Sequence, residues 1–448
     1  MTITPPGGLD QRWLRGGGWS AQFTSGTGVP EAKVVGVLRP YRLLAAVPHA
    51  SSLMTFSLLG RLHMPALGMV LAFLAVDWTG SYAIGGVIGA TVTGGQAVAG
   101  PLRGRAADRS SAPKLLLLTG FGSGLGMTAM VGLTGWLDPA HWWLILPLAV
   151  LTGLSHPPVT QLGRAIWPRL TSGPAREAAF SVEATLQELL FVVAPMLAAF
   201  AVAFWGPVAA MLCCASWAVL GPALFAAALW RAGLREAPPP EAGGARESGS
   251  LFRMPGFASL LAFFGLLVGG LISVDLVLVG WARERGTPEL AGLLAMVWAV
   301  GSLVGGLVAG GFNGRPRLLR RAALSALGLL ALVPVLPPIA DPGSPWLVGA
   351  ILLVGGSAVA PTLAASNGRL ADLAPADRRS EAFGWMASAT TLGAALAAPL
   401  AGWMLDLSGP AAAATAAAVL AAMSVGFVAH HMVQASRTPR EKTQSAVT

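Results

Sequence analysis

Twelve mostly apolar segments follow one another along this chain, and their length settles the solvent it folds in. They occupy 50–76, 80–103, 114–136, 141–167, 176–204, 207–231, 255–281, 288–312, 318–338, 345–370, 380–405 and 410–433. At about 1.5 Å per residue, each can cross the roughly 30 Å hydrocarbon layer as a helix. Inside that layer every backbone N–H and C=O must find a partner without water, so helices are the expected form. The fold class expected is an all-α polytopic membrane protein with twelve transmembrane helices. Composition agrees, since only 11% of residues are charged, about half the share of a soluble protein.

Charge sets the orientation. Of the 29 lysines and arginines, 26 fall in alternate connections or in the end segments; Arg283 and Arg285 stand on the other side, and Arg61 lies inside a span. Cations collect in cytoplasmic connections, so both termini and the connection around Pro239 are expected on the cytoplasmic face of the plasma membrane. The net charge of +9 is spread singly between apolar runs and forms no basic stripe, so the bilayer is the expected partner and nucleic acid is not. No metal or cofactor is expected. The chain has no Gly-Lys dipeptide with which to cradle a nucleotide phosphate, and His49, His63, His141, His156, His430 and His431 form no ligand pattern beyond the adjacent last pair. Cys213 and Cys214 lie side by side in an apolar run and read as small core residues. The first thirty residues hold no apolar core, so the first span is expected to direct insertion.

Residues 234–250, LREAPPPEAGGARESGS, have the composition of a flexible linker. The expected organisation is a flexible tail over 1–43, a six-helix bundle over 44–231, a linker over 232–254, a second six-helix bundle over 255–434 and a tail over 435–448. The halves also repeat. Gly163-Arg164, Arg176-Glu177, Phe180 and Pro195 have counterparts near 200 residues later in Gly368-Arg369, Arg379, Glu381, Phe383 and Pro399. Duplicated helical units of this kind build many transporters.

After the second span the chain reads GGQAVAGPLRGRAADRSSAPK over 94–114, with Arg103, Arg105, Arg109 and Lys114 around the single acid Asp108. The form Gly104-x-x-x-Asp108-Arg109 resembles the loop between the second and third spans of the major facilitator superfamily. That family continues x-Gly-Arg-Arg or x-Gly-Arg-Lys, where this chain has Ser111, Ala112 and Pro113, with the cation one residue late at Lys114. Asn313-Gly314-Arg315-Pro316-Arg317 looks like a second copy without the acid. The resemblance implies a monomer of two six-helix bundles that rock about a central cavity, with Gly104, Asp108, Arg109 and Lys114 at a cytoplasmic gate and no enzymatic activity. Within the family the chain resembles proton-coupled exporters, which implies efflux of a small organic molecule in exchange for protons. Those exporters carry Gly-Pro in the fifth span where this chain has Ala194-Pro195. An uptake symporter for a sugar or similar metabolite is the alternative within transport; a polytopic membrane enzyme or a non-transporting receptor is the alternative outside it.

Charges inside spans mark the candidate path, because a lone ion in hydrocarbon is costly. Arg61 stands in the first span, and Glu183 and Glu188 in the fifth. Counted from the cytoplasmic side, Arg61 and Glu188 lie at matched depth, so this pair is expected to meet, either as a structural ion pair or in the pathway. Glu183 lies about 140° around the helix from Glu188, on the face of Gln187, so the two acids are not expected to share a cavity. Asp275 is an isolated acid in the seventh span, a candidate proton carrier or an interfacial acid near Arg283 and Arg285. Gln96, Gln161 and Asn367, with His156 and Ser366, are further polar candidates for the path, or helix-packing hydrogen bonds. His63, two residues from Arg61, is expected to point away from it. The orientation is testable: a cysteine at Gly243 in the linker should react with an impermeant maleimide only after cells are opened, and labelling of intact cells would reverse the topology.

Overall fold

The structure, a computed structural model, describes residues 31–236, 250–287, 289–311 and 317–444. The first thirty residues, most of the linker, and positions 313–316 of the second basic loop lie outside the described residues. Helix α1 (Glu31–Ala45) precedes the spans. The first span is α2 (Ala50–Leu59) followed by α3 (His63–Thr79), with a break at Gly60, Arg61 and Leu62. Next come α4 (Tyr82–Arg109) and α5 (Ala112–Trp136). The fourth span joins α6 (Leu146–Leu154) to α7 (Val159–Leu170). Its break follows from Pro157-Pro158, which offer no N–H to the preceding turn.

Helix α8 runs Gly173–Arg231, 59 residues, or about 90 Å if straight, far more than one crossing. Gly206 interrupts it with φ 79 and ψ 166, left-handed backbone that glycine tolerates, and Pro207 follows. This one helix is therefore the fifth and sixth spans. The second half comprises α9 (Phe257–Glu284), α10 (Glu289–Gly310), α11 (Leu318–Leu330), α12 (Pro345–Gly356) continued by α13 (Val359–Leu373), α14 (Arg379–Ser408) and α15 (Pro410–Gln444). With paired segments joined, the described helices make twelve crossings, six before the linker and six after it.

In the first half α3 and α5 pack on α8, and in the second α14 and α15 pack on α9. The halves meet where α4 lies on α14 and α8 on α10. Each half has its own apolar core, and a third core spans both, with Trp167, Phe180 and Phe225 from the first half and Phe257, Phe264 and Phe383 from the second. That shared core lies at the end of the molecule where the basic loops gather, called the basic end below. Two expectations change. Residues 31–43, expected in a flexible tail, fall in α1, whose Pro40 and Leu44 are buried while Leu38 and Leu43 remain exposed. Helix α15 also continues to Gln444, past the span expected to end at 433.

Candidate functional site

At the basic end, α4 and α14 touch backbone to backbone. A methyl group on Gly104 would come within 2.6 Å of the Ser380 carbonyl carbon and 2.7 Å of the Glu381 Cα, so only glycine allows this approach. One turn further into the membrane Gly100 packs on Gly384 in the same way. The approach places Asp108, 3% exposed, at the N-terminus of α14. Its Oδ1 accepts from the Ser380 amide at 3.1 Å and its Oδ2 from the Glu381 amide at 2.8 Å. The carboxylate thus caps a helix of the opposite half, satisfying two of the amides that a helix start leaves unpaired. Glu381 holds the other side of the joint, with Arg105 at 2.8 Å and Arg378 at 2.9 Å. Of the loop residues expected at a gate, Gly104 and Asp108 are in this contact, whereas Arg109 and Lys114 are exposed. The cation that reaches across is Arg105.

Other contacts reinforce the same end. Arg176 pairs with Asp372 at 2.9 Å, Ser388 donates to the Ala97 carbonyl, and Tyr41 of α1 donates to the Leu307 carbonyl. Gly306 and Gly310 of α10 receive Thr185 and Ser181 of α8.

Above this joint lies a buried charge cluster that differs from the expected pairing. Arg61 does not meet Glu188. Its guanidinium turns back towards the basic end, where Nε donates to the Ser57 carbonyl at 3.1 Å and Nη2 to the Ser57 hydroxyl at 2.6 Å. There Nη2 pairs with Glu183 at 3.0 Å. Matched depth misled because it assumed a continuous first span, whereas Arg61 sits in the break between α2 and α3 and its long side chain reaches down by about a turn. Glu183 also accepts from Arg164 Nε at 3.2 Å and from Trp167 Nε1 at 3.0 Å. Gln187 Oε1 completes the group, accepting from Arg61 at 3.2 Å and from Arg164 at 2.8 Å. Arg164 further reaches Met386 Sδ at 3.8 Å, in the other half. Two buried guanidiniums therefore share one buried carboxylate. Arg164 and Trp167 were missing from the candidate residues; the signal available was the Gly163-Arg164 repeat, which marked duplication and not a role.

Glu188 instead faces the other half. It is half-buried and Asp275 is exposed. Neither forms an ion pair among the described residues, and Arg285 is engaged with Asp341 at 2.6 Å. Glu188 lies about 22 Å along α8 and Asp275 about 27 Å along α9 from their basic-end starts, beyond the inter-half joint. Gln96 is half-buried, and Gln161 and Asn367 are buried; Gln161 Oε1 has no hydrogen-bond partner. His63 and His156 are buried beside one another, their rings 5.7 Å apart. Among the described residues no three His, Cys, Asp or Glu side chains converge.

With this geometry in hand, comparison with known proteins is informative. The sequence profile of the Major Facilitator Superfamily matches residues 51–367 and, overlapping, 258–447. No curated protein sequence matches. Among solved structures, a bacterial homologue of the iron transporter ferroportin in an outward-facing state superposes with a TM-score of 0.68 at 16% identity, covering 86% of this chain and 99% of its own. The human organic anion transporter MFSD10 (TETRAN) gives 0.58 at 19%, covering 87% and 99%. The E. coli fucose:proton symporter FucP, solved as a point variant, gives 0.63 at 13%, covering 86% and 98%. At such identities these likenesses speak to the fold alone.

Two outcomes follow from the geometry. Removing Glu183 leaves two guanidiniums buried without their acid, so Glu183→Ala should cost about 3–5 kcal/mol of stability. In a thermal double-mutant cycle in detergent, Arg61 and Glu183 should couple by roughly 0.5–3 kcal/mol and Arg61 and Glu188 should not; additive losses for the first pair would dissolve the cluster. Asp108→Asn, which turns an amide N–H towards one backbone donor, should weaken the joint by about 1.5–3 kcal/mol. Spin labels at Ser110 and Arg320 should then report longer separations, and Gly104→Ala should do the same through its clash. An unchanged distance distribution in both variants would show that the joint does not depend on these residues.

Proposed function

The chain belongs to the major facilitator superfamily, and on that premise we propose that it is a secondary active transporter of the plasma membrane, exporting a small organic molecule in exchange for protons. Its two halves rock about a central cavity, exposing it to one side at a time. The observation that carries this reading is the placement of Glu188 and Asp275, one in each half and without an ion-pair partner among the described residues. An acid inside a span without a cation marks a functional site by default, and proton carriage is the role we assign it. The charged cluster around Glu183, by contrast, is internally paired and sits within the first half.

The joint supports a place for this conformation in such an exchange. We take the basic end as cytoplasmic because cations collect there. The conformation described is closed at that end by Asp108, Gly104 and the Arg105–Glu381 pair, and Asp275, far along α9, is exposed. In this state the acids take protons from outside. Their return inwards drives the substrate out, and Asp108, released from α14, lets the cytoplasmic side open. Gln96, Gln161 and Asn367 are assigned to the path, and the transporter works as a monomer. The solved structures are described as a homologue of an iron transporter, an organic anion transporter and a fucose:proton symporter, so the fold alone does not choose the substrate.

Purified protein in liposomes, assayed with a panel of fluorescent amphipathic dyes, tests the reading. An inward proton gradient should accelerate dye export, and Glu188→Gln and Asp275→Asn should each slow gradient-driven export at least tenfold, about 1.4 kcal/mol in barrier, with normal gel-filtration profiles. Acceleration of uptake by the same gradient would make it a symporter. Rates indifferent to the gradient in every variant would remove protons from the mechanism.

A further inference from the structure

Two buried histidines remain outside this account. His63 opens α3 just after the break in the first span, and His156 lies in the break between α6 and α7 of the fourth. They are 2% and 8% exposed. None of their four ring nitrogens has a hydrogen-bond partner. A buried polar atom without a partner is destabilising, and here four lie together in one helix bundle. Packing does not account for the arrangement, because apolar residues would fill the same space without that penalty.

We propose that His63 and His156 are the protein ligands of a buried binding site for a late first-row transition-metal cation. Neutral imidazole is a preferred donor for such ions, and each ring has a free nitrogen to offer. The spacing fits. With a metal–nitrogen bond of about 2.0–2.1 Å, a ring centroid lies roughly 3.2 Å from the metal. Two centroids 5.7 Å apart then subtend about 125° at the ion, close to the tetrahedral or trigonal angles such ions adopt. Both ligands sit at helix breaks, where the Leu154 carbonyl beside His156 is held by Arg103 at 2.8–3.0 Å, so water completes the coordination. The site carries no carboxylate or thiolate, and Arg61, two residues from His63, belongs to a cluster holding two arginines against one acid. Imidazole-seeking ions are therefore favoured over oxygen-seeking magnesium or calcium. The ion would fasten the first span to the fourth across their breaks, independently of how protons or substrate move.

Tag-free protein in detergent, incubated with cobalt(II), provides the test, because tetrahedral cobalt has intense visible absorption bands that water-bound cobalt lacks. The expected result is about one equivalent of cobalt with those bands, displaced by zinc(II), and a rise in melting temperature on zinc binding. His63→Gln and His156→Gln should each abolish the bands while still giving a monodisperse protein, and His430→Ala with His431→Ala should leave them intact. Absence of bands and of any zinc-induced stabilisation in the wild-type protein would overturn the proposal and leave buried water as the occupant. Bands that persist in both glutamine variants would overturn it equally, by placing the metal elsewhere. Because the wild-type titration decides by itself, a variant that fails to fold does not blunt the experiment.

Discussion

The structure depends on how closely α4 and α14 approach at Gly104. Two helix backbones in contact leave no room for a side chain, and in return Asp108 reaches two amides that no residue of α14 itself satisfies. A carboxylate at a helix start is favoured both by hydrogen bonding and by the helix dipole, so the contact is electrostatic as well as steric. It is also non-covalent. The amides at the start of α14 can donate to water in place of the carboxylate, at the loss of a charge-assisted bond.

The large shared core makes the opposite contribution. Trp167, Phe180 and Phe383 are almost fully buried where the halves meet, and opening this end exposes some of that surface. Burial of about 25 cal/mol per Å² of apolar area favours closure, and the polar joint fixes where closure occurs. Charges are sorted accordingly. Glu183, with Arg61, Arg164 and Gln187, is enclosed within the first half, where it ties the first, fourth and fifth spans together. Glu188 and Asp275 form no ion pair among the described residues. One helix, α8, thus carries a paired acid and an unpaired one five residues apart, on different faces.

Much of this was legible in the sequence. The all-α membrane fold follows from a local fact, segment length, and Gly104 and Asp108 stand out as a glycine and an acid in a basic turn. The separation of Glu183 from Glu188 is local too, since helical geometry alone puts them about 140° apart. The sequence also placed Gln187 on the face of Glu183, which is where the cluster forms.

Tertiary structure decided the rest, because the deciding distances run between segments far apart in the chain. Arg61 chose Glu183 over Glu188 through a helix break and a flexible side chain, neither of which depth counting includes. Arg105, not Arg109 or Lys114, crosses to Glu381, because only one face of α4 meets α14. His63 and His156, which no spacing rule connects across the two whole spans between them, become neighbours because two broken helices pack side by side. A sequence determines which groups must be hidden from lipid and which segments can hide them. Which of them meet is set by helix breaks and packing angles, and those arise only once all twelve spans compete for the same interior.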